Sequence, residues 1–212
     1  MSVATRWWWI RHAPVTVYGG RIYGQRDVPA DTSDTAAFAV LAASLPEGAQ
    51  WITSNLQRAR QTAEAIGEAG LAFDAPVREA DFAEQNFGEW QGCDRAETFR
   101  RHGDRRGFWL APVDLAPPGG ESFVQLMDRT TAAIERWSGE LAGRDIISVS
   151  HGGPIKAAIG HALGLEADAA VAFNIDNLSL TRLDRIETSA GTVAWQVQAV
   201  NRTPVAANRE AA

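Results

Sequence analysis

The sequence predicts an α/β fold in which a mostly parallel sheet is covered by helices on both faces. Three observations lead there. Short apolar runs alternate with segments of helical periodicity, in the order strand, helix, strand, helix, strand. The links between successive strands are far longer than hairpin turns, and crossovers of that length join parallel strands. Trp7-Trp8-Trp9-Ile10 is apolar on both faces of its pleat, as in a strand buried inside a parallel sheet. A chain of 212 residues suffices for one domain with a full core, taken here as residues 1–204 with a disordered tail expected over 205–212.

The elements follow in order. Trp7 to Ile10 forms the first strand, and Pro14, which lacks an amide hydrogen, stops it. A loop rich in glycine and tyrosine, Tyr18 to Gln25, comes next. Ser33 is the expected cap of a helix with Ala37, Phe38, Val40 and Leu41 on its apolar face, ended by Pro46-Glu47-Gly48. Gln50 to Thr53 is a second strand, running into a helix through Ala63, Ile66 and Gly67. A third strand is expected near Pro76-Val77-Arg78. Phe82 to Gly92 is rich in turns, and Asp94 to Gly107 reads as a charged, arginine-rich helical stretch. After Pro117-Pro118-Gly119-Gly120, Phe123, Leu126, Met127, Ile134, Trp137 and Leu141 recur at helical spacing. Asp145 to Val149 is a buried strand, followed by a helix with Pro154 expected at its first position, where a missing amide hydrogen costs nothing. Strands near Leu178–Leu183 and Val193–Val200 close the sheet.

Composition narrows the function. No apolar run approaches a membrane span. Met1 to Arg6 leads straight into the first strand, so no export signal is expected, and the single cysteine, Cys93, allows no internal disulfide. A cytoplasmic location is the expectation. The formal charge of −6 argues against a nucleic-acid surface. Nearly all cations are arginine, with Lys156 the only lysine; the arginine fork suits phosphate, though the count alone decides nothing. Trp109 is a candidate exposed tryptophan for a partner. The oligomeric state is open, with a homodimer as one option.

Right-handed crossovers bring the C-terminal ends of three strands to one edge, where ligands bind in open α/β sheets. Arg11 and His12 end the first strand, Arg58 follows the second, and His151 follows the later one at a helix start. Two guanidiniums, two imidazoles and the amides of a helix N-terminus describe a phosphate pocket. No H-E-x-x-H pattern or cysteine pair offers a metal site, His102 and His161 are read as non-ligands, and Gly119-Gly120 and Gly152-Gly153 fit neither a Walker loop nor a dinucleotide fingerprint. Neither a metal nor a cofactor is expected.

These residues resemble the histidine phosphatase superfamily, also called phosphoglycerate-mutase-like. Arg11-His12 is similar to its N-terminal signature, and Ser54 with Arg58, Ala59 and Thr62 to its second arginine motif. Phe82 to Gly92 resembles the segment bearing its acid, and Gly119-Gly120-Glu121-Ser122 and Ser150-His151-Gly152 complete an ordered set. The resemblance implies a three-layer α/β/α sandwich and a metal-independent phosphomonoesterase acting on a small phosphorylated metabolite. Neutral His12 would attack phosphorus and become phosphohistidine, its other nitrogen held by a backbone carbonyl. Arg11 and Arg58 would clamp the phosphoryl oxygens, with His151 adding a charge-assisted hydrogen bond. Glu84 would protonate the leaving oxygen and then deprotonate water, with Glu89 as second choice for that acid.

Two departures stand out. Ala13-Pro14 replaces the usual glycine after the nucleophile, and Tyr18 stands where many members place a phosphate-contacting asparagine. Three other readings compete. A phosphoglycerate mutase would need long insertions, whereas Cys93–Pro118 is short; its arginine-rich charge run reads as a solvated helix, with a lid over the leaving group as the alternative. Gly20 to Pro29, with Pro14, is similar to α-ribazole-5'-phosphate phosphatases of cobalamin synthesis. A non-catalytic phosphate-binding module would have lost His12 or the acid, and both are present.

Overall fold

The first strand runs well beyond its apolar stretch. In the computed structural model, which describes residues 2–72, 74–104 and 106–204, strand β1 spans Val3–Arg11; the expected tail 205–212 lies outside the described residues. Its alternate side chains serve two cores, as the two-residue period of a strand requires. Trp7 and Trp9 point to one face, stacked with ring centroids 5.1 Å apart and packed edge-on against Phe82. Trp8 and Ile10 point to the other, towards Phe38, Leu41 and Ile66.

The sheet adds β2 (Gln50–Ser54), β3 (Val77–Glu79), β4 (Asp145–Ser150), β5 (Leu180–Glu187) and β6 (Val193–Arg202), in the order β3-β2-β4-β1-β5-β6. The four strands from β3 to β1 are mutually parallel, β5 runs antiparallel to β1, and β6 antiparallel to β5. Helices α1 (Thr35–Ser44) and α2 (Gln57–Glu68) pack on one face through Phe38, Leu41, Ala59, Ala63 and Ile66. On the other face lie α4 (Phe123–Glu140) and α5 (Gly152–Leu163), through Ala133, Ile134, Ile155 and Ile159. The result is the three-layer α/β/α sandwich. Two short helices, α3 (Arg95–His102) and α6 (Ala167–Ala170), lie outside these layers in sequence.

The register sets the site. Arg11 pairs with Ser150, so His12 and His151 leave the sheet side by side, and the His12 amide still bonds the Ser150 carbonyl at 2.9 Å. β4 sits between β1 and β2, which puts the chain leaving β2 on the opposite side of His151.

Four local expectations need correction. The cap of α1 is Asp34, whose carboxylate accepts the Ala37 amide at 3.0 Å, while Ser33 instead bonds Asp31. α5 begins at Gly152 with His151 as its cap, so Pro154 is the third helical residue, still inside the turn whose amides need no helical acceptor. The charged stretch after Asp94 is helical only over Arg95–His102. Trp109 is buried, its indole nitrogen donating to Gln85 at 2.7 Å, because Phe123 and Phe87 wall it in. Among the described residues, no helix is long and apolar enough to cross a membrane.

Candidate active site

His12 is almost completely buried immediately beyond the end of β1. Its Nδ1 lies 2.6 Å from the Ala13 carbonyl, and an imidazole nitrogen facing a carbonyl must be the one bearing hydrogen. That assigns the lone pair to Nε2. Pro14 follows without disturbing the strand end, because the Ala13 amide is taken by the Thr62 hydroxyl at 2.9 Å. Burial first, then the Arg58 and Arg11 guanidiniums, hold His12 well below the ordinary imidazole value, against an opposing contribution from the Ala13 carbonyl. The ring is therefore neutral at neutral pH.

Arg58 lies in the first turn of α2 and is wholly buried. Its Nη1 and Nη2 donate to the carbonyls of Arg26 and Gly24 at 2.9 and 2.6 Å, which fixes the fork. Its Nε is 3.3 Å from both His12 Nε2 and His151 Nδ1. One N–H shared between two imidazole nitrogens requires both to be acceptors. His151 then carries its hydrogen on Nε2, donating to the Ser54 hydroxyl at 2.7 Å. Burial, then Arg58, hold His151 well below its ordinary value too. In this tautomer His151 points no hydrogen at a ligand, so the charge-assisted bond expected of it needs a second proton, on Nδ1.

Arg11 supplies the free donor. Its Nη1 is held by the Ile175 carbonyl at 2.5 Å, while its Nε is buried without a partner. A buried unsatisfied guanidinium hydrogen costs about 1–3 kcal/mol unless an acceptor arrives. The first residue of α5, Gly152, lies beside it, so the same spot adjoins the favourable end of a helix dipole.

Glu84 follows the single helical turn Ala80–Phe82, whose Phe82 is clamped by Trp7 and Trp9. Its Oε1 accepts the amides of Gly153 and Gln85 at 3.1 and 3.0 Å. A Cβ at 153 would overlap that oxygen and crowd Leu126, so any larger residue there must displace the carboxylate. The Gly119-Gly120-Glu121-Ser122 motif supports this loop from behind. Glu121 accepts the Asn86 amide at 2.8 Å and pairs with Arg129 at 2.7 Å, and Arg129 holds the Asp81 and Glu84 carbonyls at 2.6 and 3.2 Å.

The adjoining cleft has a volume of about 440 Å³; Arg11, Tyr18, Glu84 and Gly152 are among its walls, whereas the buried His12, Arg58 and His151 are not. The structure thus gathers Arg11, His12, Arg58, Glu84 and His151 in one place. Glu89, the second choice for the acid, does not join them: it is exposed, in the turn Gly88–Trp90, and outside the cleft. Tyr18 stands in the wall, its hydroxyl accepting from Arg26 at 2.6 Å. His102 stacks on Trp90 and His161 bonds Glu135, both away from the cleft. Three lining cations went unassigned in the sequence, Arg21, Arg95 and Lys156. Lys156 had a detectable signal: it is one helical turn beyond Gly152, on the face that meets the site.

A mostly parallel α/β sandwich with paired imidazoles and guanidiniums at its strand ends defines a protein built to hold a tetrahedral oxyanion. The chain belongs to the histidine phosphatase superfamily, branch 1, whose family model matches residues 7–198. A glucosyl-3-phosphoglycerate phosphatase of Mycolicibacterium vanbaalenii is 30% identical over 213 residues, covering 90% of this chain and 91% of that one. A bifunctional protein of Mycobacterium tuberculosis is 35% identical over 152 residues, which are 72% of this chain and 40% of that protein, so the match spans well under half of that relative's length. The solved structure of a mycobacterial glucosyl-3-phosphoglycerate phosphatase superposes with a TM-score of 0.77 at 25% identity, covering 94% of this chain and all of that one (100%).

Proposed function

We propose that the protein is a metal-independent, cytoplasmic phosphomonoesterase that hydrolyses a small phosphorylated metabolite through a phosphohistidine on His12. The observation that carries this reading is the fixed tautomer of His12. Its Nδ1 hydrogen is spent on the Ala13 carbonyl, which leaves the Nε2 lone pair beside the Arg58 guanidinium. That lone pair attacks phosphorus as the bond to the leaving oxygen breaks. Arg58 and the unpartnered Nε of Arg11 neutralise the charge on the phosphoryl oxygens. An arriving dianion favours a proton on His151 Nδ1, which converts that imidazole into a further donor.

Glu84, as general acid, gives a hydrogen to the leaving oxygen and becomes the base for the second half. Water then attacks the phosphohistidine, its proton passing to Glu84, and the N–P bond breaks to release inorganic phosphate and neutral His12. Two amides on one carboxylate oxygen keep Glu84 aimed while its charge changes.

The test is phosphate release from an aryl phosphate and a panel of metabolite monoesters, α-ribazole phosphate among them, in EDTA. Wild type should turn over without added metal, His12→Ala should lose activity by at least about a thousandfold, and acid-labile, base-stable label from the ester should be trapped on wild type. EDTA-sensitive activity surviving His12→Ala overturns the proposal, and phosphate binding without turnover favours a non-catalytic module.

A further inference from the structure

The cleft holds more positive charge than a phosphoryl group uses. Arg11, Arg21, Arg95 and Lys156 face it, against the single carboxylate of Glu84. Arg21 is engaged by the Gly92 carbonyl at 2.8 Å. Arg95 is not: among the described residues its guanidinium has no hydrogen bond or ion pair, although its backbone is fixed by the Asp94 cap of α3 and by a bond to Gly20 at 3.0 Å.

Lys156, the only lysine of the chain, is 8% exposed, and among the described residues its ammonium contacts only neutral groups. Nζ donates to the Val171 carbonyl at 2.7 Å and sits 4.6 Å from the centre of the Trp109 ring. An ammonium has three hydrogens, so one remains for the cleft. A buried cation with no counter-ion is expensive, which identifies it as a group waiting for an anion rather than a structural pair. Its value is lowered to about 8, by burial first, with Glu84 opposing and Arg11 and Arg95 assisting.

Placement gives the scale. Gly152 and Lys156 both line the cleft from α5, four residues and about 6 Å apart along the axis. Helical side chains lean towards the N-terminus, hence towards the phosphoryl position. Trp109, under Nζ, is itself bonded to Gln85 beside Glu84, and Phe108 extends the wall.

We infer that Lys156 and Arg95 form a second anion subsite on the leaving-group side of the cleft, so that the preferred esters bear a carboxylate or a further phosphate on the departing alcohol. The inference rests on the phosphomonoesterase reading and narrows its substrate class. One anion remains on the product alcohol after hydrolysis, which is consistent with a site that distinguishes product from free phosphate.

The test compares esters matched in length: glycerol 3-phosphate, neutral at its far end; 3-phosphoglycerate, ending in a carboxylate; and 1,3-propanediol bisphosphate, ending in a second phosphate. In wild type, kcat/KM should favour at least one anionic ester tenfold or more, and which one identifies the anion. Lys156→Met and Arg95→Gln should each reduce that ratio at least threefold, mainly through KM. Arg95 is exposed at the start of a helix, so its variant reads the subsite even if Lys156→Met fails to fold. Equal kcat/KM for all three esters, or variants that slow them in equal proportion, overturn the subsite. Calorimetric binding of the same esters to His12→Ala separates the two readings. Equal affinities there overturn the subsite; tighter binding of an anionic ester, together with a wild type that hydrolyses none, overturns the phosphatase reading and leaves the subsite standing.

Discussion

The proposed attack by His12 requires a neutral imidazole, and burial favours that form. Because its value lies well below the ordinary 6.5, the acidic limb of kcat/KM contributed by His12 falls below pH 6.5. A pH profile on an aryl phosphate checks this; a limb at pH 6.5 or above would show that the imidazole is not desolvated as the structure has it. Lys156 acts at the other end of the scale. Charged below about 8 and neutral above, it loses its pull on an anionic leaving group as pH rises through that value, long after the phosphate has ionised. The charged groups acting on it are Glu84, Arg11 and Arg95, which line the cleft with it, and Asp104, which does not. As Lys156 loses its charge near pH 8, the preference for anionic over neutral esters should fade there, while hydrolysis of glycerol 3-phosphate does not follow the same curve. Gly153→Ala tests Glu84 by shape alone. The added methyl displaces the carboxylate from its two amides, and kcat should drop about 10²-fold with phosphate affinity almost unchanged.

Around the N-terminus of α4, two adjacent residues of one motif do different work. Ser122 caps the helix, bonding the Gln125 amide at 3.2 Å while the Gln125 side chain returns to Ser122 at 2.8 Å. Glu121 faces the opposite way, into Arg129 and the acid loop. Ser122→Ala should therefore lower stability by about 1 kcal/mol, or Tm by about 2–4 °C, without a matching loss of kcat. Glu121→Gln should do the reverse, lowering kcat about tenfold through Arg129, with KM for the phosphate group little altered. Thermal melts and steady-state kinetics on the pair distinguish the roles. The same contrast explains what the sequence disclosed. Arg11-His12 and His151 were legible because each follows the end of a strand, and Arg58 because it opens the helix after the second strand; parallel topology then dictates that such ends meet. Glu84 was legible only through its motif, since nothing local shows that Arg129, far along the chain, holds its loop. Lys156 was legible only once the start of α5 at Gly152 was fixed, one turn before it, and Arg95 lay inside a charge run that reads as a solvated face. Pro154 suggested a helix start two residues late, because His151 itself occupies the capping position. The apolar run Leu178–Leu183 marked a strand but not its direction, and β5 proved antiparallel to β1.

At the scale of the whole molecule, the site concentrates uncompensated groups where three elements of the sandwich end. His12 and His151 are buried neutral, and the free Nε of Arg11 lies between β1 and α5. Both imidazoles have folded values below their unfolded ones, so between those values the unfolded chain binds more protons, and stability falls as pH drops below about 6.5. Lys156 shares that sign higher up: its folded value of about 8 lies below the unfolded 10.5, so its contribution makes the fold more stable as pH rises across that interval. An oxyanion bound between Arg11, Arg58 and α5 reverses the acid-side loss, because it supplies the acceptor for Arg11 and stabilises a charged His151. Phosphate or vanadate at a hundred times its dissociation constant should add about 2.7 kcal/mol to the unfolding free energy. At one fixed anion concentration the gain should be larger at pH 5.5 than at pH 7.5 if His151 takes up its second proton on binding. Melts of wild type and Arg11→Ala with and without the anion, at both pH values, measure this. A pH-independent shift of equal size in both proteins would mean that the anion binds elsewhere, and that the strand ends meet for packing alone.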